Sequence, residues 1–152
     1  MTVETQPTSS GGSPWPNRLI LAVYFVCFSV GSLAHIAQAV MFGFFANDPE
    51  NPVPMGFIYV NELFTFLNPL TIVLLIFKRR AGIISALAVV GLVFALNLAL
   101  MAWMWTAQHK LHIVWLYLNG TMGLFMLFTA KRLWRAAPPE KALPPATTPS
   151  TT

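Results

Sequence analysis

The stretch FIYVNELFTFLNPLTIVLLIFKRRAGIISALAVVGLVFALNLALMAWMWT, residues 57–106, decides the fold. Its two halves, Phe57–Phe77 and Ala81–Thr106, are apolar almost all round, hold no lysine or arginine, and meet at the tight basic turn Lys78-Arg79-Arg80. A helix needs roughly 20 apolar residues to cross a hydrocarbon core about 30 Å thick. Only a backbone that satisfies its own hydrogen bonds is tolerated there. Each half therefore reads as a transmembrane helix.

Working outward, two more segments have the same character, Leu19–Phe45 before and Leu111–Ala130 after. The connection Ala46–Gly56 (ANDPENPVPMG) packs Asn, Asp and three prolines together, which halts one helix and begins a turn. Ala107-Gln108-His109-Lys110 is short enough to force its flanking helices into an antiparallel hairpin. Met1–Asn17 and Ala136–Thr152 are rich in Thr, Ser, Gly and Pro and lack apolar periodicity, so they read as disordered tails. The expected architecture is an all-α integral membrane protein. Its transmembrane domain, residues 18–135, is an antiparallel up-down-up-down four-helix bundle with helices at about 19–45, 57–77, 81–106 and 111–130.

Composition agrees. The 152 residues are 56% hydrophobic and 9% charged, whereas a soluble domain carries about 25% charged residues to coat its surface. The net charge of +4 comes from nine scattered Lys and Arg, too few for a nucleic-acid surface. They read instead as orientation signals. Arg18, Lys78, Arg79, Arg80, Lys131, Arg132, Arg135 and Lys141 fall on one side and Lys110 alone on the other, so both termini are expected to be cytoplasmic. A bacterial cytoplasmic membrane is the expected location. Asp48 and Glu50 lie on the opposite face, and Tyr59, Trp103, Trp105 and Trp115 cluster toward it as an interfacial belt, with Trp15 and Trp134 marking the cytoplasmic boundary.

Ala37-Gln38-Ala39 matches a signal-peptide cleavage pattern, but the apolar run continues past it through Phe45, so the first helix is expected to stay. Cys27 is the lone cysteine and reads as a small buried hydrophobe. No zinc spacing, nucleophile elbow, HExxH helix or phosphate-binding loop is present. Leu67-Asn68-Pro69 and Leu118-Asn119-Gly120 form a weak echo at similar distances before Lys78-Arg79 and Lys131-Arg132. A two-plus-two duplication would leave such an echo, and so would composition, the favoured reading, because Asn, Gly and Pro are each tolerated in membrane helices.

Polar groups in hydrocarbon are costly, so those that occur are the functional candidates. At 1.5 Å per residue, His35 stands about 26 Å from Arg18, Glu62 about 24 Å from Lys78 and Asn97 about 26 Å from Arg80, one layer on three helices. His112 and Asn119 stand about 28 Å and about 18 Å from Lys131, and Asn68 about 15 Å from Lys78. Gly31, His35, Gln38 and Phe42 make one stripe at helical spacing, and Asn61, Thr65 and Asn68, with Glu62 at the margin, make a second. His112, Asn119 and Gly123 make a third. The expectation is a ligand-binding polar pocket in the outer half of the bundle, built from His35, Gln38, Asn61, Glu62, Thr65, Asn68, Asn97, His112 and Asn119. The competing reading is interfacial, since these groups approach the far boundary of the core, where water and headgroups satisfy polar side chains.

His35 and His112, on separate helices at similar depth, would be the axial ligands if the bundle held haem b, and Glu62 with both histidines has ligand types suited to zinc or iron. Neither spacing nor motif requires either group, so no cofactor is expected. The expected role is a non-catalytic interaction or accessory subunit that holds a small lipid-like molecule in the pocket. Its expected partners are the lipid bilayer and a larger membrane complex or further copies of itself. The alternatives are a redox subunit carrying haem or quinone and a small proton-coupled transporter working as an oligomer.

Overall fold

The computed structural model describes residues 15–47, 49, 52–109 and 113–137, and their regular structure is entirely helical. Four helices follow in order: α1 (Trp15–Phe42), α2 (Met55–Phe77), α3 (Arg79–Gln108) and α4 (Ile113–Ala136). Three stretches are long and apolar enough to cross a membrane, Pro16–Phe42 of α1, Met55–Phe77 and Arg79–Gln108. The expected tails beyond 15 and 137 lie outside the described residues, as do Asp48, Glu50, Lys110, Leu111, His112 and Lys141.

The boundaries differ from the expected ones for local reasons. α1 starts at Trp15, inside the stretch read as tail, because Pro16 suits a first turn where no N–H is needed. It ends at Phe42 rather than Phe45. Gly43 adopts φ +86° and donates to the Ala39 carbonyl at 3.0 Å, the closing contact that glycine makes most cheaply. Phe45, also left-handed at φ 61°, reverses the chain. Asn47 then ties the loop down: its Nδ2 donates to the Val53 carbonyl at 2.9 Å and its Oδ1 accepts from the Val53 N–H at 3.0 Å.

The expected basic turn between α2 and α3 shrinks to Lys78 alone, at φ −133° and ψ 72°. Arg79 and Arg80 enter α3 because the two helices almost touch. A Cβ built on Gly82 would lie 2.4 Å from the Leu75 backbone nitrogen. Just beyond, Thr71 Oγ1 and Ser85 Oγ share a hydrogen bond of 2.7 Å, and Thr71 also donates to the Leu67 carbonyl. α3 stops at His109, left-handed at φ 53°. α4 runs six residues past the expected Ala130 end, since Leu133 and Ala137 still have core to bury against and Arg135 suits a helix C-terminus.

Packing is uneven along the molecule. The core consists of Tyr24 and Phe28 of α1, Phe64 and Leu75 of α2, Ile83, Ala86 and Val89 of α3, and Met126, Ala130 and Leu133 of α4. Most of these lie toward the end that carries the basic residues, here the basic end. Tyr24 donates from its phenol to the Met126 carbonyl at 2.9 Å and lies 3.2 Å from Thr129 Oγ1, fastening α1 to α4. At the rim, Arg132 Nε donates to Asn17 Oδ1 at 2.8 Å, and the Arg80 guanidinium sits 5.4 Å from the Trp134 ring centre. The outward surface is apolar: Leu63, Phe66, Leu70, Val73 and Phe77 are exposed along α2, and Leu124, Leu127 and Phe128 are exposed on α4.

Candidate functional site

Toward the end opposite the basic residues the helices enclose a cavity of about 880 Å³. Its size falls within the range of pockets that take drug-sized molecules. All four helices and the Asn47 loop contribute to the wall. The reason is that packing fails there. On α3 no residue beyond Val89 is buried, and on α4 none of the described side chains before Met126 is. α1 and α4 touch through Asn17–Arg132, Tyr24–Met126 and Cys27–Met122, the last with sulfurs 3.6 Å apart. Val26 and Val30 on α1 and Leu118 on α4 are at once cavity wall and exposed surface. The cavity thus reaches the surface along these residues.

Seven expected pocket residues line this one cavity: His35, Gln38, Asn61, Glu62, Asn68, Asn97 and Asn119. Thr65 does not. It is buried beside the wall, and its Oγ1 has no hydrogen-bond partner. His112 lies outside the described residues, so the pairing of His35 with His112 falls there too. His35, Glu62 and Asn97, the three groups assigned to one layer, do share the cavity. The His35 ring lies 5.7 Å from the Phe64 ring, with Glu62 within electrostatic reach across the α1–α2 contact.

Hydrogen bonding divides the polar residues into two groups. Asn97 Nδ2 is committed to the Val93 carbonyl of its own helix at 2.8 Å, and Asn119 has a partner. Among the described residues Gln38, Asn61, Glu62 and Asn68 accept and donate no hydrogen bond. Glu62 is only 6% exposed. A carboxyl group and two buried or half-buried amides left unmatched are a costly arrangement, which a polar occupant of the cavity relieves. The Asn68 amide is held close to α1, since a Cβ on Gly31 would come within 3.0 Å of its Nδ2.

Around these groups the wall is apolar. Val26, Phe28, Val89, Val90, Met122 and Met126 form its deep part, and Phe57, Leu96, Leu100 and Leu118 its upper part. Phe57 is backed by Trp103, with ring centres 6.5 Å apart, so that tryptophan packs on α2, whereas Trp105 is exposed. Among the described residues no three His, Cys, Asp or Glu side chains gather as a metal-binding group, and His35 is the only histidine in the wall. Chemically the cavity offers one carboxyl, one imidazole and several amides above an apolar shaft. The carboxyl and the imidazole, Glu62 and His35, are the two titratable polar groups of this wall besides the Cys27 thiol.

Sequence reasoning missed Asn47 and Cys27 as wall residues. Asn47 precedes a proline-rich loop, the setting in which an Asn side chain bonds to nearby backbone, and that signal was available. Cys27 carries no signal in isolation. Comparison with protein-family models, with curated proteins and with solved structures finds no match for this chain.

Proposed function

We propose that this chain is a small polytopic membrane protein that holds a lipid-like molecule in the cavity and acts as a non-catalytic accessory or interaction subunit. It crosses the bilayer four times as an antiparallel up-down-up-down bundle with both termini cytoplasmic. The contacts support the alternation, because ascending numbers on one helix meet descending numbers on the next. Gly31 meets Asn68 and His35 meets Phe64; Thr71 meets Ser85 and Leu75 meets Gly82; Val90 meets Gly123 and Arg80 meets Trp134. α4 supports a fourth span by its length of 24 residues and its exposed Leu124, Leu127 and Phe128. The basic residues Arg18, Lys78, Arg79, Lys131, Arg132 and Arg135 at one end support the orientation.

One observation carries the binding reading: polar side chains that make no hydrogen bond among the described residues, Glu62 foremost, line an otherwise apolar cavity whose wall includes exposed apolar residues such as Val30 and Leu118. A molecule with a polar head and an apolar body satisfies both surfaces. The direct test is native mass spectrometry of protein extracted in mild detergent. A bound small molecule is expected on the wild-type chain, and it should be lost from Met122→Trp, which fills the shaft. A wild-type chain that carries no adduct, together with lipid titrations that leave its melting temperature unchanged, would refute the reading. Sidedness is tested separately with Pro52→Cys and Arg135→Cys in a Cys27→Ala background. Labelling of both from the same side would contradict the proposed topology.

A further inference from the structure

The polar end of the cavity carries a sign. Among the described residues its wall contains one carboxyl group, Glu62, and neither lysine nor arginine. All the described lysines and arginines belong to the opposite end, at Arg18, Lys78–Arg80, Lys131, Arg132 and Arg135. The Glu62 side chain is 6% exposed and receives no hydrogen bond from any described residue. A buried carboxylate without a donor is stabilised most by a cation placed beside it. The unpartnered amides of Gln38 and Asn61, on neighbouring turns of α1 and α2, add acceptor oxygens at the same level.

Aromatic rings extend the same preference. Phe57 is a wall residue one to two turns from Glu62 on α2, backed by Trp103, and Phe64 with His35 closes the other flank. Aromatic rings in the wall of the same cavity as a carboxyl group suit an organic ammonium, which spreads its charge over several carbons. Below this level the shaft past Val26, Val90, Met122 and Met126 holds no charged group among the described residues. From Gln38 down to Val26 it follows α1 for about 18 Å. That length asks for an apolar tail, and Val30 and Leu118, wall residues that are also exposed, show that the cavity reaches the apolar surface.

We infer that the cavity selects a cationic amphiphile, a single-tailed organic ammonium whose head pairs with Glu62 while its tail fills the apolar shaft. This rests on the binding reading above and narrows it to one ligand class. Beside Glu62 the wall offers only the His35 imidazole as a cationic group among the described residues, so a neutral amphiphile adds no charge for the carboxyl group and an anionic one opposes it.

The experiment uses the full chain in phosphatidylcholine nanodiscs and two probes of equal tail length, dodecyltrimethylammonium and dodecanol. Binding is read from tryptophan fluorescence against empty nanodiscs, which correct for partition into lipid. The ammonium probe is expected to bind the wild-type chain about a hundredfold more tightly than the alcohol, as loss of a buried charge partner implies. Glu62→Gln should remove that preference while leaving dodecanol binding in place, and Glu62→Asp should keep part of it. Met122→Trp should weaken both probes. Equal affinities on the wild-type chain, which needs no variant to fold, would overturn the ammonium assignment and leave an unselective amphiphile cavity standing. Binding of neither probe would overturn both readings.

Discussion

The two ends of this molecule solve the same packing problem differently. At the basic end α2 and α3 are pressed together at Gly82 and Leu75, Thr71 and Ser85 share a hydrogen bond, and Tyr24 ties α1 to α4. At the other end α1 and α2 remain in contact through His35 and Phe64, but no described side chain of α3 beyond Val89 or of α4 before Met126 is buried. The contrast arises from residue size and hydrogen bonding. Small and hydroxyl side chains let backbones approach at the basic end, where packing is the main attraction between helices in lipid. At the far end the side chains of Gln38, Asn61, Glu62 and Asn68 make no hydrogen bond among the described residues, so close packing there would strand them more deeply. Close packing thus resides mainly in one half and the cavity in the other.

The sharpest challenge to this division is Gly82→Ala. Its methyl group would meet the α2 backbone rather than a yielding side chain, so the helices must separate, with an expected loss of about 3 kcal/mol in equilibrium unfolding in mixed micelles. Little change would show that the basic end is not closely packed. A matched pair comes next: Ala86→Leu enlarges a residue that is fully buried at the packed end and should lose about 2 kcal/mol. Met122→Trp, a comparable addition of volume at the hollow end, should cost less than about 1 kcal/mol because the added ring enters open space. Similar losses for the two would erase the difference between the halves.

Asn61→Leu tests the polar wall with an opposite sign. Replacing an unpartnered amide by an apolar side chain should raise stability by about 1 kcal/mol in the same assay, at the expense of ligand retention. A loss of stability would mean that the amide is already satisfied. The smallest effect is expected from Trp134→Ala, which removes the ring beside Arg80 at the rim and should cost about 0.5 kcal/mol by thermal melting.

Much of the site was legible in one dimension. Stripes at helical spacing put His35 and Gln38 on one face of α1 and Asn61 and Asn68 on one face of α2, and those four do line one cavity. Heights counted from the basic residues grouped His35, Glu62 and Asn97 because helix rise is constant. Thr65 shared the α2 stripe yet turned into the wall, since a stripe is broader than a cavity mouth. The Lys78–Arg80 turn was legible in charge but not in length, because the close approach at Gly82 depends on both helices at once.

What the order of residues determined alone is the helical, membrane-compatible character of the chain. That follows from length and apolar composition, which act on each segment separately. Where the segments close and where they part could come only from their association. The hollow beside Glu62 depends on the place at which α1 and α4 stop touching, and that place is set by the volumes of side chains brought together from different helices. No single segment contains that information, because packing is a property of surfaces that meet.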